Sequence, residues 1–453
     1  MRSSARTGRG LTRRRALGGA AAAAGAAALT APHAAVARDD DGKRGDGRVP
    51  RRIAPPLTLT AARLLDPLTG EVTEGATVVF ARGLVRRAGA GVRPARGGRV
   101  IDVGGAFVLP GLLDAHVHAS TVAAARLALA GGATTIRSGS TSFYQDIGLR
   151  ALGELGGLVV PRTLAAGLFV TPNLGDSILA DPRLAPLATL PDGVRSPRAL
   201  RHVVRVNIAR GVDLIKTRST ERAGLPEQDP RVQVYDERQI RAVVNAARRL
   251  RGGVACHGHG DEGIRDSVLA GVRSVEHGTF ASPATLDLMR ARGTYLVPTL
   301  SAVVDLAEPG GEYTDPRLVE RGREMLGVLR ETVPAAYARG IPIAAGTDTS
   351  YTPATQSSVA GEIRLLAQFG LANLDALRAA TTTGAALVRR EGELGRLKPG
   401  YAADALVVGG DPLADLAALD DVRLVVAGGW IAREGDTVAE PVTTETEADE
   451  DGI

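Results

Sequence analysis

Seven histidines occur in the 453 residues. His33 falls in a leader-like stretch, and His202 sits alone on a helical pattern. The other five each follow an apolar run that reads as a strand: His116 and His118 in LPGLLDAHVH, His257 and His259 in ACHGHG, and His277 in SVEHG. In extended chain, residues i and i+2 share a face, so His116 and His118 can reach one point. Asp348, in AGTDTS, follows the last strand-like run. Four imidazoles (His116, His118, His257, His277) and the Asp348 carboxylate are donors suited to zinc, manganese or cobalt. His259 stands two residues beyond His257 and faces the same pocket. It is a candidate substrate contact or a support for a ligand.

Lys216 adds an unusual group. Of 55 basic residues, only Lys43, Lys216 and Lys398 are lysine. Lys216 ends the apolar run in GVDLIKTRST, where a buried ammonium is costly. Five ligands bind two metal ions only when something bridges them. A neutral lysine amine can capture carbon dioxide as a carbamate, anionic with two oxygens; arginine cannot, because its guanidinium stays protonated. Burial and adjacent cations favour the neutral amine. The alternative for Lys216 is an ion-pair partner or a snorkelling side chain. Arg218 and Arg222 follow it and are candidates to bind a substrate carboxylate.

The elements that must carry these residues alternate. Residues 57–108 hold short apolar runs with frequent turn signals, which predicts β-structure without helices. From 109 to 392, strand-like runs alternate with helical patterns. Asp236 caps a helix reaching about Arg251; Val254 to Cys256 form a strand ending at His257; Ser282-Pro283 opens another helix; and Ile341 to Ala345 form a last strand. Such repetition implies a parallel sheet. At this length it favours a closed (β/α)8 barrel, an α/β fold whose strand ends converge on one active face. No G-x-G-x-x-G opens a helix after a strand. Residues 393–436 return to β-character.

The termini differ from this body. The formal charge is +5, but residues 1–37 contain six arginines and no acid, so the remainder carries −1. That near-neutral chain, with few aromatics, excludes a nucleic-acid partner. Arg13-Arg14-Arg15, an alanine-rich run to Ala31 and Ala35-Val36-Ala37 form a signal peptide of the twin-arginine type over 1–37. Export is expected, with no stable membrane span after cleavage. Residues 38–56 read as a linker and 437–453 as an acidic disordered tail. The single cysteine, Cys256, excludes an intrachain disulfide framework.

LPGLLDAHVH, GVDLIK, ACHGHG, SVEHG, AGTD and ELGRLKPGYAADALVV together resemble the amidohydrolase superfamily, on the branch of imidazolonepropionase-like proteins and metal-dependent dipeptidases. The resemblance covers about residues 57–435. It implies a TIM barrel over 109–392, with 57–108 and 393–436 joining in a small composite β-sandwich. It implies two divalent metal ions, zinc first among them: His116, His118, Lys216 and Asp348 would hold one, and Lys216, His257 and His277 the other. It also implies a metal-bridging hydroxide as nucleophile and Asp348 as the proton carrier. Tyr235 lies where dipeptidase-like relatives carry an aromatic that donates to a carbonyl oxygen. The implied reaction is hydrolysis of an amide, in a dipeptide or N-acyl amino acid. A homo-oligomer is left open.

Two departures bear on specificity. Relatives carry Gly-Gly-His after strand three, where this chain has Asn173-Leu174-Gly175-Asp176, and a glycine pair after the lysine, where it has TERAG. The competing readings are a mononuclear deaminase or cyclic-amide hydrolase of the same superfamily, and a non-catalytic exported binding protein. The deaminase reading needs His-x-x-Glu after strand five, but Gly260 stands three residues after His257.

Overall fold

The computed structural model describes residues 53–156, 158–308, 313–352 and 357–438. The leader, the linker up to residue 52 and the tail from 439 lie outside them. The described residues open with five strands and no helix among them: β1 (Leu57–Asp66), β2 (Glu71–Ala81), β3 (Leu84–Gly89), β4 (Arg99–Asp102) and β5 (Phe107–Pro110). Arg82 and Gly83, both with positive φ, make the tight turn between β2 and β3, the handedness that matches strand twist.

From there strands and helices alternate: β6 (Leu112–Val117), α1 (Val122–Ala130), β7 (Ala133–Ser138), α2 (Gln145–Leu155), β8 (Arg162–Leu164), α3 (Pro197–Ala209), β9 (Ile215–Arg218), α4 (Glu237–Ala247), β10 (Val254–Gly258), α5 (Asp261–Ala270), β11 (Ser274–His277), α6 (Pro283–Arg292) and β12 (Tyr295–Val297). Helices α7 (Leu300–Ala307), α8 (Pro316–Ala338), α9 (Val359–Gln368), α10 (Asn373–Ala379) and α11 (Thr382–Leu387) follow. The last strands are β13 (Ala405–Val408), β14 (Val422–Ala427), β15 (Trp430–Glu434) and β16 (Thr437–Val438).

Local chemistry explains the helix starts. Asp236 and Gln239 form a reciprocal capping box on α4, and Ile240, Val243 and Ala247 bury its inner face. The helix ends at Ala247 rather than near Arg251. Ser282 caps α6 through the Thr285 N–H, with Pro283 in the first turn, a cap worth about 1 kcal/mol.

β6, β7 and β8 form one parallel sheet, and β9 to β12 another. Single parallel bridges join Val170 to Thr217, Leu296 to Ile343 and Val117 to Thr349. The strand expected over Ile341 to Ala345 is thus reduced to one bridge. Pro342 has no N–H to donate, so the ladder is interrupted there. The first and last strands share a nine-stranded sheet, ordered β16-β15-β14-β13-β5-β1-β2-β3, with β4 on β1. Its joint is the antiparallel β5–β13 pair, Phe107 opposite Val408 and Pro110 opposite Ala405. Leu59, Val78, Phe80, Val108, Val407 and Val426 pack into one cluster beneath it. Thr437 and Val438, read from composition as the start of the tail, pair with β15 instead. Leu113 and Ala115 of β6, Leu164 of β8, Ala255 of β10 and Val297 of β12 pack together with Ala166, Leu214 and Ala344. Among the described residues, no helix is long and apolar enough to cross a membrane.

Candidate metal centre and active site

The strand ends bring the sequence candidates together. His116 ends β6, and Asp348 is tied beside it by an N–H bond to the His116 carbonyl at 2.7 Å. Asp348 Oδ1 then lies 3.3 Å from His116 Nε2 and 3.1 Å from His118 Nε2. On the neighbouring strands, the rings of His257, His259 and His277 sit with centroids 4.5–4.8 Å apart, His259 stacked on His277. Each group of three, His116/His118/Asp348 and His257/His259/His277, presents donor atoms within 4.8 Å of one another, suited to holding a cation. The second group includes His259, which sequence reasoning placed against substrate. Lys216, on β9, lies beside the first group, its Nζ 2.8 Å from His116 Nε2. The His116 and His277 rings are 5.5 Å apart and link the groups.

Four of the five rings are oriented by their other nitrogen. His118 Nδ1 contacts the Ser140 carbonyl at 3.1 Å, and His257 Nε2 the Glu221 carbonyl at 2.9 Å. His259 Nδ1 meets Thr279 Oγ1 at 2.9 Å, and His277 Nδ1 meets Thr299 Oγ1 at 2.7 Å. His277, Thr299 and Asp348 all have positive φ, 72°, 50° and 57°, strain of the kind that gathers at functional sites.

Burial sets the charges. It pushes the Lys216 amine down to about 8, against the pull of Glu276 and Asp348. Burial and Lys216 lower His116. Burial and neighbouring imidazoles hold His257 and His277 well below their usual range, and burial takes His259 to about 3. Burial pushes Asp348 upward, but His116, His118 and His277 outweigh it and keep the carboxylate ionised.

These residues form the floor of a cavity of about 730 Å³. Its walls include Phe169, Leu174, Arg222, Leu225, Leu306 and Tyr313. Arg222 reaches it, its guanidinium 5.6 Å from the Phe169 ring centroid. Arg218 and Tyr235 do not line it. Arg218 is buried, donating to the Thr220 carbonyl at 2.8 Å. Tyr235 is fully buried and donates to the Val194 carbonyl at 2.6 Å. Both brace loops behind the cavity wall.

Sequence reasoning missed the groups beneath the floor. Glu276 contacts His116 Nδ1 at 2.9 Å and accepts from Arg137 Nη2 at 2.9 and 2.8 Å. The His116 N–H points off the line to that oxygen, so the contact is electrostatic more than a straight hydrogen bond. Arg137 also donates to Ser274 Oγ at 3.0 Å and to the Ala115 carbonyl. Strict alternation would put Glu276 opposite His277. The left-handed turn at His277 and Gly278 breaks it, so both face the centre. Asp114 accepts from Thr347 Oγ1 and Tyr351 OH, each at 2.7 Å, pinning the Asp348 loop to β6. The visible signal for both was a carboxylate next to or two before a histidine at a strand end.

The Amidohydrolase family model matches residues 107–432. Ochratoxinase of Aspergillus niger is 26% identical over 421 residues, covering 82% of this chain and 84% of that protein. Imidazolonepropionase of Salinispora arenicola is 25% identical over 390 residues, covering 78% and 91%. Among solved structures, a Xaa-Pro dipeptidase with bound methionine in the active site superposes with a TM-score of 0.73 at 26% identity, covering 84% of this chain and all of that one. With a match spanning the strands that carry the histidines and the β5–β13 joint, the protein belongs to the amidohydrolase family.

Proposed function

We propose that this protein is an exported, metal-dependent hydrolase that cleaves the amide bond of a dipeptide or N-acyl amino acid in the cavity above His116 and Asp348. One observation carries the reading: a buried lysine, with an amine lowered to about 8, stands against the first of two three-donor groups. In this reading the donor set fits two divalent ions, zinc first among them. His116, His118 and Asp348 would hold one and His257 and His277 the other, and a carbamate on Lys216 would supply a further anionic donor. The fold is read as a closed (β/α)8 barrel over 109–392, supported by the bridges from Val170, Ile343 and Thr349 to neighbouring strands. Residues 57–108 and 393–436 are read as its β-sandwich, supported by the β5–β13 joint. Export rests on the twin-arginine pattern within residues 1–37.

Bound cations supply Lewis acidity to the scissile carbonyl. The chain does the rest. Asp348, kept ionised among imidazoles, accepts the proton of the attacking water and returns it to the leaving nitrogen. Arg222 stands where it can pair with a substrate carboxylate. Leu174, Leu225 and Leu306 give part of the wall an apolar face for the rest of the substrate. Ochratoxinase and the Xaa-Pro dipeptidase, both similar to this chain, bear names of amide-cleaving enzymes and support the substrate class.

The test is elemental analysis of the mature protein expressed with zinc and bicarbonate, followed by a screen of dipeptides and N-acyl amino acids. The reading expects two ions per chain, falling sharply in Lys216→Ala. A single ion, indifferent to Lys216, would replace it with the mononuclear reading.

A further inference from the structure

The carboxylate beneath the floor has a role that neither the family match nor the ligand set assigns. Glu276, Arg137, Ser274 and His116 are all buried, at 4% exposure or less. Glu276 and Arg137 come from β11 and β7, strands of different sheets, so their contact spans the interior rather than a neighbouring pair. Every polar atom of the Glu276 carboxylate is engaged. Oε1 takes Ser274 Oγ and Arg137 Nη2; Oε2 takes Arg137 Nη2 and lies 2.9 Å from His116 Nδ1. Arg137 is fixed in turn by the Ser274 hydroxyl and by the Ala115 carbonyl, one residue before His116. A side chain with so many fixed partners has little freedom to rotate.

The consequence falls on His116. A neutral imidazole carries one N–H, and a carboxylate can only accept. With the Oε2 charge 2.9 Å from Nδ1, though off the straight hydrogen-bond line, electrostatic attraction favours the proton on Nδ1, which leaves Nε2 as a lone pair. Nε2 is the atom that faces Lys216 at 2.8 Å and Asp348 at 3.3 Å. The opposite tautomer would aim a lone pair at the carboxylate and an N–H into the donor cluster.

We propose that Glu276, anchored by Arg137, is the positioning residue of His116: it selects the Nδ1–H tautomer and so turns Nε2 into a donor toward the site. This rests on the metal-centre reading for its purpose, but the tautomer itself needs no metal. Arg137 matters through Glu276, as the cation that allows an ionised carboxylate to stay buried at this depth.

The experiment uses full-length protein labelled with ¹⁵N-histidine and stripped of metal by chelation, with the His116 signals identified by their loss in His116→Asn. Wild type is expected to show an unprotonated Nε2 and a protonated Nδ1. Glu276→Gln should shift His116 toward a mixture of tautomers. Because that variant leaves Arg137 without its carboxylate, Arg137→Gln/Glu276→Gln is measured beside it; neutralising both keeps the buried charge balanced. Zinc titration against a chromophoric chelator should then show one ion held about 10–100-fold more weakly, with the His257/His277 ion within about twofold. An Nε2–H tautomer in wild type overturns the proposal, as does an unchanged tautomer with unchanged zinc affinity in a folded Glu276 variant. If wild type binds no zinc but shows the tautomer and its loss, the metal-centre reading fails while the positioning role stands.

Discussion

Lys216 Nζ lies 2.8 Å from His116 Nε2, both groups buried. At that distance one nitrogen must accept from the other, so the amine and the ring are not both protonated donors. Burial lowers both, Lys216 to about 8. The contact puts a lysine lowered by burial to about 8 against a ring that burial also lowers, and a lowered amine pKa favours the neutral, nucleophilic form.

Replacing Lys216 by arginine keeps the charge and removes the amine. Lys216→Arg is expected to lose metal as fully as Lys216→Ala, with affinity down by more than about 100-fold, beyond what supporting residues cost. After expression with ¹³C-bicarbonate, a carbamate carbon should be visible by NMR in wild type and missing in the variant. Absence of that carbon from active, metal-loaded wild type would remove the bridging role.

Asp348→Asn removes the proposed proton acceptor while keeping an oxygen toward the cluster. Turnover should fall by about 10²–10⁴-fold. Metal content, measured on the same samples, should stay near wild type. Full activity in this variant would contradict the proton-carrying role.

The two arginines after Lys216 should separate cleanly. Arg222→Ala is expected to raise KM for an N-acyl amino acid by about 10–100-fold, the worth of a hydrogen bond to a charged group, with kcat and melting temperature nearly unchanged. An amidated substrate, lacking the carboxylate, should not sense the change. Arg218, buried against the Thr220 carbonyl, should instead lower the melting temperature when replaced. Equal effects of Arg222→Ala on both substrates would refute the carboxylate contact.

Glu362 predicts a pH dependence away from the cluster. It accepts from the Leu300 and Ser301 N–H groups and the Ser301 hydroxyl at the start of α7, whose Val303 and Leu306 line the cavity. Burial raises its carboxyl from 4.5 to about 7, despite those donors. The folded pKa lies above the unfolded one, so the contribution is fully present below pH 4.5 and is lost as pH rises through 7. The loss amounts to about 3 kcal/mol. Denaturant titrations from pH 4.5 to 8 should show this decline in wild type, and Glu362→Gln should flatten it. An unchanged slope would place the dependence elsewhere.

Much of the site is legible because its signals are local. His116 and His118 share a face through strand geometry alone, and the Ser282-Pro283 and Asp236 caps set helix starts by contacts within a few residues. Lys216 stood out by its rarity. Other features were not legible for equally physical reasons. Tyr235 and Arg218 carry suitable groups near the right strand, yet the fold sets Tyr235, in the loop after β9, and Arg218, at the end of β9, onto the Val194 and Thr220 carbonyls. Whether a loop side chain faces inward or outward depends on what the rest of the chain packs against it. Ile341 to Ala345 has the apolar character of a strand but only one bridge, because Pro342 removes a donor.

The sequence by itself determined the kinds of donor present, their spacing along strands and the alternation that carries them to strand ends, since each depends on backbone periods of two or 3.6 residues. Only the tertiary structure decided which carboxylate stands behind which imidazole. Glu276 reaches His116 and Arg137 across 160 and 139 residues of chain. It does so because β7 and β11, strands of different sheets, face each other across the interior, and the positive φ at His277 turns the next side chain toward the same centre.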